Sequence, residues 1–148
     1  MNRLARALNF AEGFWLGFVV CNSDEERRAI VAKCRGSLDP GIRIVEIEID
    51  EPPTLEKPLN LLNVIQERLA REGEMASTGC RKLVFFVYGL QGWLPSSERY
   101  SPLLSSLNSN RELFRQEFPH PLAVWLPDYA LTMLARGAPD FWAWRSGV

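Results

Sequence analysis

Apolar positions along the chain switch between two rhythms, one helical and one extended. In Asn2–Ala11, Leu4, Ala5, Leu8 and Ala11 recur at helical spacing. Glu12-Gly13 closes that helix. Phe14–Cys21 (FWLGFVVC) is almost unbroken in its apolarity and rich in aromatic and β-branched residues, which predicts a strand buried on both faces. Ser23-Asp24-Glu25-Glu26 has the form of a capping box, with Ser23 at the N-cap and Glu26 three positions on. The helix it opens carries Ala29, Ile30, Val31, Ala32 and Cys34 and runs to about Arg35, with Gly36 as a natural stop. Ile42–Asp50 alternates. Val45, Ile47 and Ile49 face one side, and Ile44, Glu46 and Glu48 face the other, as expected of an edge strand with one wet face.

After the Glu51–Pro58 loop, Asn60 can cap a helix through about Arg71, with Leu61, Leu62, Val64, Ile65 and Leu69 on its apolar side. Glu72–Gly79 reads as a loop. Leu83–Tyr88 (LVFFVY) is continuous and apolar, hence a central strand. The long Gly89–Pro102 loop leads to a helical turn at Leu103–Asn108. Ser109 or Asn110 then caps a helix over Arg111–Phe118. Pro121–Leu126 (PLAVWL) is a fourth apolar strand, and Asp128–Arg136 a helix stopped by Gly137. The remaining Ala138–Val148 carries Phe141, Trp142 and Trp144 close together. Strands and helices alternate throughout. The expected fold is therefore one α/β domain, a three-layer open parallel sheet with helices on both faces and right-handed crossovers.

Composition narrows the function. The chain has 148 residues, 17 Lys+Arg against 18 Asp+Glu, and 47% hydrophobic residues. That balance excludes disorder, and it lacks the excess positive charge that drives general binding to nucleic-acid phosphates. Lysine occurs only at Lys33, Lys57 and Lys82; the other cations are arginine. Arginine suits carboxylates, phosphates and aromatic faces, and the excess also fits the codon usage of a GC-rich genome. With one His and three Cys, and no CxxC, a structural zinc site is hard to build. Cys21 and Cys34 read as small core residues. Cys80 is an exposed thiol or, more in keeping with its surroundings, structural. Met1–Phe10 has arginines where a signal peptide needs an apolar run, and no apolar run reaches membrane-spanning length. A reducing cytoplasm is the expected location.

An open parallel sheet binds ligands beyond the carboxyl ends of its strands. After the first strand, a phosphate-binding protein needs a glycine-rich loop and a lysine. The segment here, Val20–Arg27, has neither, and Asp24, Glu25 and Glu26 fill the first helical turn where a phosphate would sit. After the third strand, a nucleotide hydrolase places a magnesium-holding Asp. Tyr88 stands there instead and cannot ligate a hard cation in its place. His120, between Pro119 and Pro121, reads as a solvated turn residue, and the Glu46/Glu48 pair as a solvated sheet edge. No catalytic residue, cofactor or metal ligand is expected. The better candidates are Trp93, Arg99, Tyr100, Arg111, Trp142, Trp144 and Arg145, since aromatics and arginine are enriched at protein interfaces. The same aromatics, with Phe141, could instead cover the sheet. Arg111 could simply open a capped helix.

Val87-Tyr88-Gly89-Leu90, Leu107-Asn108-Ser109-Asn110-Arg111-Glu112, Leu122–Leu126 with Pro127 and Leu131, and the closing Ala138–Gly147 run (APDFWAWRSG) together resemble a bacterial family. It comprises degenerate P-loop NTPase modules related to STAND signalling ATPases, commonly followed by tetratricopeptide repeats in large signalling or defence proteins. The resemblance spans Asn2 to the end. It implies strand order 2-3-4-1, with a fifth strand beyond strand one in the full domain. The chain departs from active members at the phosphate loop and at the magnesium aspartate, so ATP binding is not carried over. In that order strand one is an edge, and a long apolar edge invites association unless covered. Either the chain is a fragment ending before its fifth strand, or another chain, an adjacent domain or a second copy covers Phe14–Cys21. The resulting expectation is a non-catalytic protein-interaction or regulatory module without membrane or nucleic-acid partners. The alternative is a nucleotide-binding or hydrolytic enzyme with an unusual site at the strand ends.

Overall fold

The computed structural model describes residues 3–49, 61–75, 82–93, 107–109 and 111–143. Its elements alternate as the apolar rhythms predict. Helix α1 (Arg3–Phe10) leads to β1 (Trp15–Val20), α2 (Asp24–Ser37) and β2 (Ile42–Glu48). Then come α3 (Leu61–Met75), β3 (Lys82–Tyr88) and a 3-10 turn (Leu90–Trp93). Helix α4 (Arg111–Glu117), β4 (Pro121–Leu126), α5 (Asp128–Gly137) and α6 (Pro139–Ala143) complete the order. The four strands form one all-parallel sheet in the order β1-β4-β3-β2, which is the expected order read from its other end.

Position in the sheet follows from composition. All six residues of β4 are buried, as are all those of β3 after Lys82. These two strands lie at the centre, where both faces must be covered. On one face Ala5 and Leu8 of α1 and Val31 and Cys34 of α2 cover Ile44, Val84, Phe86, Ala123 and Trp125. On the other, Leu61 and Ile65 of α3, Phe114 of α4, Leu134 of α5 and Phe141 of α6 cover Phe18, Val45, Phe85 and Val124. β2 buries Ile44, Val45 and Ile47 but exposes Glu46 and Glu48, as its alternation requires of an edge.

Polar groups tie the layers together. The Lys82 ammonium, at the start of β3, donates to the carbonyls of Leu8 and, at 2.9 Å, Ala11, satisfying the open C-terminal end of α1. Asn9 donates to the Ser37 carbonyl at 3.1 Å and accepts from the Asp39 amide at 2.8 Å, which fixes α1 against the end of α2.

Several details differ from the sequence reading. β1 is not buried throughout. Leu16, Gly17 and Phe18 are covered, while Trp15, Val19 and Val20 are half-buried, because β1 is the second edge. Helix α2 runs through Gly36 to Ser37. Gly36 takes no left-handed conformation, and the stop is the extended backbone of Leu38, whose amide donates to Cys34 O at 3.1 Å. Ala29 and Ala32 are exposed, so the buried stripe of α2 is narrower than its apolar content suggests. Helix α3 continues beyond Arg71 to Met75. Residues 139–143 form the short helix α6, opened by Pro139 at its first position. His120 is not a solvated turn residue. It is half-buried against the rings of Phe118 and Phe85, at centroid distances of 5.3 and 5.7 Å, and burial lowers its pKa.

Gly89 ends β3 in a conformation that only glycine adopts without strain, at φ +85°. A Cβ there would also stand 2.4 Å from the Ile49 carbonyl oxygen. Ile49 cannot retreat, because its own amide donates to Tyr88 O at 2.9 Å. Gly89→Ala is therefore expected to destabilise the fold by about 1–3 kcal/mol from backbone strain, with the clash adding to it. Urea denaturation checks this; a variant as stable as the parent contradicts it.

Candidate functional site

The loops after β1, β3 and β4 enclose a cleft of about 230 Å³ at the N-terminus of α2. This is where an open parallel sheet places its ligands. Cys21, Asn22, Ser23 and Asp24 line it from the first loop and Arg27 from α2. Tyr88, Gly89 and Gln91 close it after β3, and Trp125, Pro127 and Tyr129 after β4.

The floor is held by the first loop. Cys21 extends the β1–β4 ladder, its amide donating to Leu126 O at 2.9 Å, and its thiol donates to Ser23 O at 3.1 Å. Asn22 ties the first loop to α5: its side-chain oxygen accepts from the Asp128 amide at 3.1 Å and its amide donates to the Asp128 carboxylate at 3.4 Å. It thereby supplies the cap that Pro127, which makes no side-chain cap bond, lacks. Ser23 Oγ accepts from the Glu26 amide at 3.1 Å, as the capping-box pattern requires. With Asp24, Glu25 and Glu26 in the first turn, the positive end of α2 is already balanced from within the chain.

Tyr88 is the centre of the cationic side of the cleft. Its hydroxyl donates to Glu46 at 2.8 Å, and Glu46 also receives the Arg35 guanidinium. The Glu46/Glu48 pair is thus more than a solvated edge: Glu46 anchors Tyr88. Burial, then the bond to Glu46 and its charge, hold the Tyr88 pKa well above its ordinary value of 10.0. The Arg27 guanidinium carbon lies over the Tyr88 ring, 4.2 Å from its centroid. Its carboxylate neighbours, Asp24 at 3.7 Å and Glu48 at 4.0 Å, are within ion-pair range but beyond hydrogen-bond length. On the opposite wall the Trp125 ring meets Tyr88 edge-on, with centroids 5.7 Å apart. The buried Trp125 indole nitrogen and Gln91 side-chain oxygen have no hydrogen-bond partner among the described residues. No group of three or more His, Cys, Asp or Glu that could hold a metal occurs among those residues.

Of the residues singled out in the sequence, Arg111 and Trp142 lie elsewhere, on the face covered by α3–α6. Arg111 donates to the Asn108 carbonyl at 2.8 Å, and the Asn108 side chain accepts from the Phe141 amide at 3.3 Å. Asn108 thus joins the Leu107–Glu112 stretch to the aromatic run of α6. Trp142 rests on Phe18 of β1, with rings 5.0 Å apart. The backbone of Trp93 ends the 3-10 turn. The Trp93 side chain, Arg99, Tyr100, Trp144, Arg145 and Cys80 lie outside the described residues. Arg27, Gln91 and Tyr129 were missed. The segments after the first and third strands were searched for a phosphate loop and a magnesium ligand, and an arginine one helical turn into α2 matches neither.

Tyr88 lies on the sheet face covered by α1 and α2, Cys34 points into the same cluster from α2, and both hold their protons in the folded state. Burial pushes the Cys34 thiol from 9.0 up to about 11. A raised folded pKa contributes stability below the unfolded value that is lost as pH rises, because the unfolded chain then releases protons the folded chain retains. Stability should therefore fall between pH 9 and 11. Cys34→Ala flattens the first part of that fall, and Tyr88→Phe the part above pH 10. Tyr88→Phe also costs about 1 kcal/mol at neutral pH through the lost bond to Glu46. Urea midpoints measured from neutral to alkaline pH check all three.

No protein-family model, no curated protein and no solved structure matches this chain.

Proposed function

We propose that the chain is a non-catalytic protein-interaction or regulatory module of a bacterial signalling or defence protein, with a P-loop-like fold that does not hydrolyse nucleotide. The observation that carries this reading is the edge strand β1. Its sequence, WLGFVV, has no charged side chain, and β1 pairs only with β4 among the described residues. Natural edge strands are usually blunted by charge, proline or bulges. An unblunted apolar edge suits strand addition, in which a partner's main chain supplies hydrogen bonds and alternate side chains supply specificity. The partner fitting this edge is an apolar strand from another protein or an adjacent domain, set against Trp15, Val19 and Val20. The resemblance to degenerate STAND-related modules supports the same reading. So do Tyr88 at the place of a magnesium carboxylate and the acidic first turn of α2 at the place of a phosphate.

Hydrogen exchange and light scattering on the chain alone test this. The expected result is fast exchange of outward β1 amides in the monomer and concentration-dependent association that Val20→Lys suppresses. A monomer whose β1 amides are all as protected as those of β4 overturns the proposal. Thermal denaturation with ATP, ADP or GTP and magnesium should show no stabilisation. A rise of several degrees that Tyr88→Phe removes would favour the nucleotide-enzyme reading instead.

A further inference from the structure

We propose that the cleft at the ends of β1, β3 and β4 binds a free amino acid, its carboxylate held by Arg27 and its ammonium by Asp24, with an apolar or aromatic side chain. This inference is independent of the β1 edge. It begins with Arg27, whose side chain is only 20% exposed. Contact with the Tyr88 ring holds the guanidinium in place, and Tyr88 is itself anchored by Glu46. Yet the guanidinium makes no hydrogen bond among the described residues; its carboxylate neighbours stand at 3.7 and 4.0 Å. A rigid planar fork with unspent donors, facing a cleft, is suited to bidentate capture of a carboxylate.

Charge decides what else the ligand carries. Asp24 and Glu48 flank Arg27, with side chains 75% and 69% exposed. A phosphate or other bare anion would take Arg27 and leave those carboxylates facing added negative charge. A bare cation would pair with Asp24 and face Arg27. A zwitterion meets Arg27 and Asp24 at once and adds no net charge, while the exposed Glu48 carboxylate stays in water. The volume, about 230 Å³, is below the roughly 300–1,000 Å³ of typical drug-sized ligand pockets, which suits an amino acid better than a nucleotide. The walls set the side chain: Pro127 and the exposed ring of Tyr129 offer apolar surface, with Trp125 buried behind them. The unpartnered Trp125 indole N–H and Gln91 oxygen give that wall further polar capacity.

The test is thermal denaturation and calorimetry of the full chain with each of the standard amino acids. Acetate, methylammonium, inorganic phosphate and ATP serve as separate probes. The expected result is a raised Tm and a change in tryptophan fluorescence with one or more apolar or aromatic amino acids, and neither with the four other probes. Arg27→Lys should weaken binding about tenfold or more by replacing the fork with a point charge. Asp24→Asn, at an exposed position, should weaken it while leaving the fold intact, and so carries the test if Arg27 variants do not fold. The proposal is overturned if no amino acid raises the Tm of the parent protein, if phosphate stabilises it as strongly as the best amino acid, or if Asp24→Asn binds undiminished.

Discussion

Burial of β3 and β4 on both faces is the constraint from which the rest of the structure follows. A parallel strand that is apolar on every side chain needs a covering layer above and below. Phe85 and Val87 face the helices that follow β2, whereas Val84 and Phe86 face α1 and α2. The chain must therefore keep leaving the sheet, forming a helix and returning on the same side. Parallel entry puts the ends of β1, β3 and β4 at one end of the sheet, and the cleft is the space their loops leave there. Even the opening helix serves this constraint. It shares with α2 the cover over Ala123 and Phe86, and its end carbonyls accept from Lys82 at the start of β3.

At the cleft the same constraint shapes the electrostatics. Tyr88 is the last residue of β3, so its ring is buried like the strand behind it, while its hydroxyl must find an acceptor. Glu46 on the neighbouring strand provides one, and the register pairing Glu48 with Tyr88 puts Glu46 one alternate position back on the same face. A neutral ring thus stands at the end of a central strand, and the ring in turn gives Arg27 a surface to pack on. Cation, ring and carboxylate form a chain running from α2 through β3 to β2. Arg35 extends it back to α2 from the Glu46 end. The arrangement places a cation beside the cleft without a lysine or a glycine-rich loop.

The fold was largely legible because its main signals are periodic. Continuous apolarity in LVFFVY and PLAVWL marked the centre, and alternation in IRIVEIEID marked an edge. The Ser23 cap could be read from residue types alone. Glycine was less informative: Gly13 has the left-handed conformation that ends a helix, but Gly36 and Gly137 stay helical. What stops α2 and α5 is backbone geometry at the next residue, and no residue type announced it. The cleft was legible only in location. Its position follows from the rule for parallel sheets, but its cation does not. Arg27 is one of many arginines, and what distinguishes it is contact with Tyr88, more than sixty residues later in the chain. His120 was misread for the same reason. Flanking prolines suggested an exposed turn, whereas the ring of Phe85, from a distant strand, joins neighbouring Phe118 in covering it.

The two edges of the sheet show how differently one chain treats the same hazard. β2 carries Arg43, Glu46 and Glu48 on its exposed positions, so an incoming strand would have to bury charge. β1 offers no such barrier. Its protection consists of side chains laid over its faces. On one side the Trp15 indole folds back over Gly17, so closely that a Cβ there would fall 2.2 Å from the ring. On the other, Trp142 and Phe141 of α6 lie against Phe18. These aromatics shield the faces of β1, and among the described residues only β4 pairs with its main chain. Face coverage with an uncharged edge is what a strand-accepting surface requires. The faces stay folded in the absence of a partner, and the hydrogen-bonding row stays available for one. On the proposed reading, an uncharged residue at Val20, where a lysine would blunt the strand, keeps that edge open to an incoming strand.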